Sequence, residues 1–401
     1  MKPKRSKYEI VFEHLFSFRG YKLFDVKETK TRVLVILKKV GPPQCPNCGS
    51  IHIHIEEKFT REVRDLNLRQ KQCYIQFEET KIRCSCGYRG IEYLDFIRPY
   101  SRCTKSLESG IAQCAALTTL TNTSLIWDLD WKTVKDIDIR SIQDKMIDIK
   151  AIHPTMIGVD EIAYKKGHDY LTIVRDIAAR RVIWIGFKRK TETLDAFFKE
   201  LGPEKSAKIE VCCMDMWDPY IGSVKKNTEA DIVFDKFHAL KKVHESIDKV
   251  RKRVFSTADD SIKKEMKHKR FLILSRRKNL DTEQDLESLD QLLGLNKPLY
   301  TAYILKEEIA DIFDDNDEQR QVVRLEQWFT NVVDSGIEEL QPAVSMMKNY
   351  LYGIHNYFKR KLTNAGSEGF NNKINVIKRA AYGFRDIDYF KLKIFQQCGG
   401  I

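Results

Sequence analysis

The sequence predicts an α/β chain built from several modules, on three observations. Two close cysteine pairs stand in the N-terminal quarter, each followed by a glycine. Beyond Pro99 the apolar period becomes helical. From Pro154 onward, β-rich runs alternate with amphipathic ones in an order that builds a mixed sheet flanked by helices.

Bulk properties bound the possibilities. A chain of 401 residues can bury a sizeable core, and its 42% hydrophobic content is ordinary for a water-soluble protein. No run of about 18 apolar residues exists, so no transmembrane helix is expected. The N-terminus, MKPKRSKYEI, is basic but lacks the apolar stretch of a signal peptide, which points to a cytoplasmic chain. In that reducing compartment clustered cysteines bind metal more often than they pair as disulfides. The net charge of +12 calls for a polyanionic partner. It is unevenly spread: residues 1–150 carry +8, residues 236–280 carry +10 and residues 281–350 carry −11.

Taken in order, residues 21–26 and 32–38 alternate as two strands. In "GPPQCPNCGS", Cys45 and Cys48 have the spacing at which a tight turn aims two thiolates at one ion. "KIRCSCGYRG" adds Cys84 and Cys86, and four thiolates close a tetrahedral structural zinc site. The second pair is C-x-C, so His52, His54, Cys73 and Cys103 stand as alternatives for one ligand, although the two histidines alternate with isoleucine as strand residues do. Residues 104–138 read as helix, turn, helix, turn, helix. Thr123 or Ser124 is the candidate cap of the middle helix. In the third, Trp131, Val134 and Ile137 would face the core, leaving Lys132, Thr133 and Lys135 outward; Lys132 and Lys135 are DNA contacts if this helix enters a major groove.

The C-terminal two-thirds begin with a buried strand, Met156 to Val159, interrupted by Asp160. A carboxylate in an apolar run is costly unless positive charge sits against it. "DYLTIVRDI" and "RRVIWIGF" complete a three-strand meander. An amphipathic helix follows, capped by Thr191 or Thr193 and stopped at Gly202-Pro203. "AKIEVCCMD" is a fourth strand ending at Asp215, "MWDPYIGSVKKN" a helix, and "ADIVFDKFH" a fifth strand leading into a long helix. This is the order of an RNase H-like fold, in which the first and fourth strands lie side by side, so Asp160 and Asp215 meet. Glu161, beside Asp160, is an alternative ligand, and strand alternation lets only one of the two face the site. Asp218 and Asp235 compete with Asp215.

The third acid must come from a later helix. Between Asn364 and Arg385 one acid, Glu368, precedes four bases, Lys373, Lys378, Arg379 and Arg385. Three carboxylates hold two Mg²⁺ or Mn²⁺ ions, which prefer oxygen ligands and act on both sides of a phosphodiester; the bases then contact phosphates. The 153 residues between Asp215 and Glu368 require a helical insertion. Within it, Trp328 is either a base-stacking residue or a core residue sharing a face with Leu325, Phe329 and Val332. The acidic half of the insertion either shields the basic half or pairs with it in a second protomer. The boundaries that follow are 1–100 for the zinc-binding module, 101–150 for the helix-turn-helix, 151–255 and 351–401 for the catalytic domain, and 256–350 for the insertion.

"VDEIAYKKGHDYLTIV", "MDMWDPYIGSV", "DIVFDKFHALKKV" and "SEGFNNKINVIKRAAYGF" resemble the DDE transposases of bacterial insertion sequences, and the ISL-three family in particular. The resemblance covers nearly the whole chain and implies a zinc finger, a helix-turn-helix and a DDE domain with the triad Asp160, Asp215 and Glu368. It also implies that Asp235 and His238 form a D-x-x-H element beside the active site, His238 holding a phosphate or a ligand carboxylate; the simpler alternative makes Asp235 a helix cap. The function so implied is binding of terminal inverted repeats in double-stranded DNA, metal-dependent cleavage and joining to a target, by a homodimer on paired ends. The alternatives are a transposase-derived regulator without catalysis and a structure-selective nuclease of the same fold.

Overall fold

A computed structural model describes residues 18–165, 169–362 and 365–400, the side chains of residues 365–368 excepted. The chain divides into two compact units, Met1–Lys145 and Met146–Ile401.

The first unit is built on a sheet of order β1-β2-β4-β3, with a short β5 on β4. β1 (Tyr21–Glu28) and β2 (Arg32–Lys39) are antiparallel and run slightly beyond the predicted bounds. β3 (His54–Leu68) and β4 (Lys71–Arg83) form a long hairpin turned at Arg69, which adopts a left-handed φ of 56°. β5 spans Arg89–Ile91. Alternation in "RVLVILKK" buries Val33, Val35 and Leu37 against Val63, Ile75, Phe77 and Phe96.

Three helices follow, Lys105–Leu117, Leu120–Trp127 and Trp131–Lys145, packed around Leu107, Ile111, Val134 and Ile137. Thr119, not Thr123 or Ser124, caps the middle helix, accepting from the Asn122 N–H; Thr123 lies a turn further in, fully buried, where its hydroxyl donates to the Thr119 carbonyl. Asp128, at φ 49°, ends that helix and turns the chain into the third. Val134 and Ile137 face the core as expected, but Trp131 is 50% exposed. It occupies the first turn, where the helix has yet to reach the other two, so periodicity there does not mean burial.

The second unit holds a five-stranded sheet of order β10-β9-β6-β7-β8. β6 (Met156–Ala163), β7 (Tyr170–Asp176) and β8 (Arg181–Phe187) form the antiparallel meander. β9 (Val211–Met214) runs parallel to β6, and β10 (Asp231–Phe234) parallel to β9. Side chains alternate between faces: Cys212 and Met214 join Ile157 and Val159 under the helices Thr191–Leu201 and Asp218–Asn227. Val211, Cys213 and Val233 pack opposite, against the helix Lys236–Thr257. On that second face, nearer β8, Leu171, Ile173 and Ile185 meet Ile374, Phe390 and Ile394 of the last two helices, Ala365–Ala380 and Ile387–Cys398. Neither Thr191 nor Thr193 caps its helix. The cap position is Lys190, and the Thr193 hydroxyl donates to the Phe187 carbonyl.

Between the helices Lys236–Thr257 and Leu351–Arg360 the chain is helical, with a shared apolar core. Trp328 is fully buried in it, its Nε1–H donating to the Leu305 carbonyl at 2.8 Å, so it is a core residue. The oppositely charged halves pair within one chain: Arg276 with Asp311 and Asp314, Arg277 with Asp290, Lys278 with Asp314, and Arg253 with Glu339. Among the described residues no helix is long and apolar enough to cross a membrane.

Candidate active site and zinc centre

Two groups of metal-competent side chains occur among the described residues, one in each unit. In the first unit the ligand atoms of Cys45, Cys48, Cys84 and Cys86 all lie within 4.8 Å of one another. Cys45 and Cys86 sulfurs are 3.7 Å apart, Cys48 and Cys84 sulfurs 3.5 Å. A tetrahedron of thiolates at the usual Zn–S distance has edges of about 3.8 Å, so the four fit a zinc ion. Each pair sits on a knuckle closed by a left-handed glycine, Gly49 (φ 73°) and Gly87 (φ 91°), whose N–H groups bond back to Cys45 and Cys84 carbonyls. Backbone hydrogen bonding at Tyr88 and the Asn47 amide hold the Cys86 thiol down, while hydrogen bonds from the other three cysteines outweigh the backbone bond at Ser50 and hold Cys48 up, so without an ion the four thiols share their protons unequally. Of the alternatives, Cys73 and Cys103 are buried in other apolar clusters and His54 opens β3.

In the second unit the sheet brings two distant acids together. β6 and β9 pair in parallel as Met156↔Val211, Ile157↔Cys212 and Gly158↔Cys213. Carried two residues further, that register sets Asp160 opposite Asp215. The ladder has by then ended: β9 stops at Met214, and Asp215 follows it beside Asp160 in the middle of β6. Asp160, Glu161 and Asp215 each offer an oxygen within 4.8 Å of the others'. The expectation that only one of Asp160 and Glu161 faces the site is therefore corrected. Both remain in β6, paired with β7 at Asp160↔Ile173 and Glu161↔Thr172, so their side chains leave opposite faces of the strand, yet past the end of β9 their carboxylates and that of Asp215 come within reach of one ion.

Neighbouring groups fix this cluster. The Asn371 amide donates to Asp160 Oδ2 at 2.7 Å, and the Glu161 N–H to Asp160 Oδ1. His238 Nε2 meets Asp215 Oδ2 at 2.8 Å, and Arg189 Nη1 meets Glu161 Oε1 at 3.3 Å. Asp215 Oδ1 and Glu161 Oε2 are buried without a hydrogen-bond partner among the described residues. Burial, and then the Asp215 charge, raise Asp160 and Glu161 above the ordinary carboxylate range. The hydrogen bond to Asp215 raises His238, favouring its protonated form. A divalent cation suits this donor set: it relieves the mutual repulsion and occupies the two orphaned oxygens.

Asp235 takes up the alternative role, capping the helix Lys236–Thr257 by accepting from the Phe237 N–H at 3.0 Å, while one turn on His238 reaches Asp215. Asp218 is elsewhere, accepting from the Tyr350 hydroxyl. Glu368 falls in the helix Ala365–Ala380, and its side chain lies outside the described residues. Of the proposed phosphate contacts, Lys373 donates to the Gln397 carbonyl, Lys378 to the Ala163 carbonyl at 2.9 Å and Arg379 to the Asn375 carbonyl; Arg385 and Lys132 are exposed and Lys135 is half-buried. Sequence reasoning missed Asn371 and Arg189. The pair of asparagines after Glu368 and the "KRK" following β8 were the available signals.

Comparison with known proteins agrees in both units. A family model described as a transposase, of the ISL3 DDE class, matches residues 157–394. One described as the zinc-finger of transposase IS204/IS1001/IS1096/IS1165 matches residues 41–86. The chain is 32% identical over 393 residues to the transposase for insertion sequence element IS1001 of Bordetella parapertussis, covering 96% of this chain and 97% of that one. It is 25% identical over 352 residues to the transposase for insertion sequence element IS1557 of Mycobacterium tuberculosis, covering 81% and 78%.

Proposed function

The chain belongs to the ISL3 family of DDE transposases, and from that premise we propose that Asp160, Asp215 and Glu368 hold two Mg²⁺ or Mn²⁺ ions in an RNase H-like catalytic domain. That domain cuts the ends of an insertion sequence and joins them to target DNA. The observation that carries this reading is the meeting of Asp160, within β6, with Asp215, just past the end of the neighbouring parallel strand β9, each acid with an orienting partner. The strand order β10-β9-β6-β7-β8, with only β7 antiparallel to its neighbours, supports the RNase H-like assignment. Glu368 is supported by Asn371, which lies one turn later on the same helix and touches Asp160, since positions three apart share a helix face.

The ions, when bound, activate a water or a 3′-hydroxyl and stabilise the leaving oxygen. The chain's own residues prepare the site. Asn371 fixes the orientation of Asp160. His238 binds one oxygen of Asp215 and leaves the other, buried beside Asp160 and Glu161, for a metal ion. The sheet with its helices up to residue 255, and the helices from residue 351 on, make up the catalytic domain, residues 151–255 and 351–401, around a helical insertion at 256–350. The zinc module, residues 1–100, and a helix-turn-helix at 101–150 recognise the terminal inverted repeats, with Lys132 and Lys135 on the third helix. Lys373, Lys378, Arg379 and Arg385 contact phosphates, the first three by exchanging the carbonyls they now meet. A homodimer processes the two ends together.

The test is cleavage and strand transfer on labelled DNA bearing the element's ends, with Mg²⁺ or Mn²⁺, for wild type and Glu368→Gln. Metal-dependent nicking at the repeat boundary and joining, both lost in the variant with binding intact, is the expected result. Binding without cleavage in either protein indicates a regulator, and cutting indifferent to the repeat, without joining, indicates a nuclease.

A further inference from the structure

Beside the carboxylate cluster, Arg189 is held in a manner its role as a surface base does not require. Its guanidinium carbon lies 4.2 Å from the centre of the Tyr170 ring and 4.7 Å from that of Trp217. Trp217 in turn donates its Nε1–H to the Arg189 carbonyl at 3.2 Å, and its own N–H bonds the Asp215 carbonyl. The residue before it, Lys188, is forced to a φ of 70°, with its N–H on the Tyr170 carbonyl and its carbonyl gripped by the Thr172 hydroxyl, which also meets the Tyr220 hydroxyl. A left-handed lysine is strained and persists where surrounding bonds over-determine it. These bonds aim one guanidinium at the mouth of an acid cluster.

Arg189 Nη1 stands 3.3 Å from Glu161 Oε1, long for a charge-assisted bond, which is usually about 2.8 Å. The arginine side chain keeps 33% of its exposure, so an incoming anion can reach it. Lys188 and Lys190, on either side, are exposed. Three carboxylates repel the polyanion that the reaction must bring to them. A fixed planar cation at the rim, loosely paired with one of the acids, is suited to take a phosphate in that acid's place.

We propose that Arg189 is a phosphate-binding site for the DNA strand entering the carboxylate cluster, resting on Glu161 until a phosphodiester adjoining the cut takes that acid's place. Tyr170 and Trp217 are its positioning residues. The proposal rests on the reading of Asp160 and Asp215 as the catalytic acids, and the experiment separates the two.

Binding of DNA carrying the element's ends is measured without divalent ions across a salt series, for wild type, Arg189→Gln and Arg189→Lys. A lost phosphate contact lowers the slope of log K against log salt by about 1. The slope is expected to fall by that amount in Arg189→Gln and to be kept in Arg189→Lys. Cleavage with Mg²⁺ is then followed on DNAs in which single phosphates flanking the cut are neutral methylphosphonates. Arg189→Gln should slow cleavage about a hundredfold. One methylphosphonate should slow wild type without slowing Arg189→Gln further, because both remove the same contact. Unchanged slopes, or methylphosphonate penalties equal in both proteins, overturn the proposal. If wild type binds but never cuts, the catalytic reading fails, and the salt slopes, which need no cleavage, still decide Arg189. If Arg189→Gln fails to fold, Arg189→Met, which keeps the apolar stem against Tyr170 and Trp217 and removes the charge, carries the slope test.

Discussion

Asn371 holds one oxygen of Asp160 and so orients the carboxylate proposed as a metal ligand. Removing that amide in Asn371→Ala should leave DNA binding unchanged and lower cleavage by about 10- to 100-fold, read under single-turnover conditions. Asp248 tests electrostatics away from the site. It is 7% exposed; burial alone would raise it, but Arg251, Lys252 and Arg270 hold its carboxyl down to about 2. A carboxyl whose folded value is depressed stabilises fully above its unfolded value near 4, and that stabilisation is lost as pH falls through about 2, amounting to about 2 kcal/mol. Acid titration of stability should show this loss in wild type and not in Asp248→Asn. Residues of this kind differ in legibility. The acids of the cluster were readable because each interrupts or ends an apolar strand. Glu161's membership was not, since alternation along β6 sends it to the face opposite Asp160, and only the end of β9 at Met214 lets the carboxylates approach. Arg189 was hidden because its aromatic neighbours come from β7 and from the turn after β9, a meeting only the folded sheet makes.

At the scale of elements, the zinc knuckles predict a cooperative dependence. Cys86→Ser should release the metal, assayed by atomic emission on the purified protein, and lower the melting temperature of the first unit, because a structural site contributes folding energy directly. The helix Leu351–Arg360 predicts a steric cost. A Cβ on Gly353 would come within 2.2 Å of the Phe234 ring on β10, so Gly353→Ala should destabilise by about 1–3 kcal/mol in denaturant titration. Strands and long helices were legible here from period and breakers. Caps were less so: Thr119 won over Thr123 and Ser124 because the helix starts earlier than its apolar pattern does. Trp131 was misread for the related reason that an apolar period does not say where along a helix its neighbours begin.

At the scale of the molecule, the sequence announced two chemistries, thiolates for zinc and carboxylates for a hard cation, and the fold keeps them in separate units. The charge imbalance between residues 236–280 and 281–350 was legible, but its resolution was not, because composition cannot distinguish pairing within a chain from pairing between chains. The ion pairs of Arg276, Arg277, Lys278 and Arg253 close it internally. The central claim is that residues distant in sequence hold the same divalent ions. Fe²⁺ substituted for Mg²⁺, with ascorbate and peroxide, cuts a polypeptide beside the ion, and mapping the fragments is the direct measurement. Cuts beside Asp160, Asp215 and Glu368, suppressed together by excess Mg²⁺ and absent in Asp215→Asn, are the predicted result. Cuts elsewhere, or cuts at these places that persist in Asp215→Asn, would contradict it.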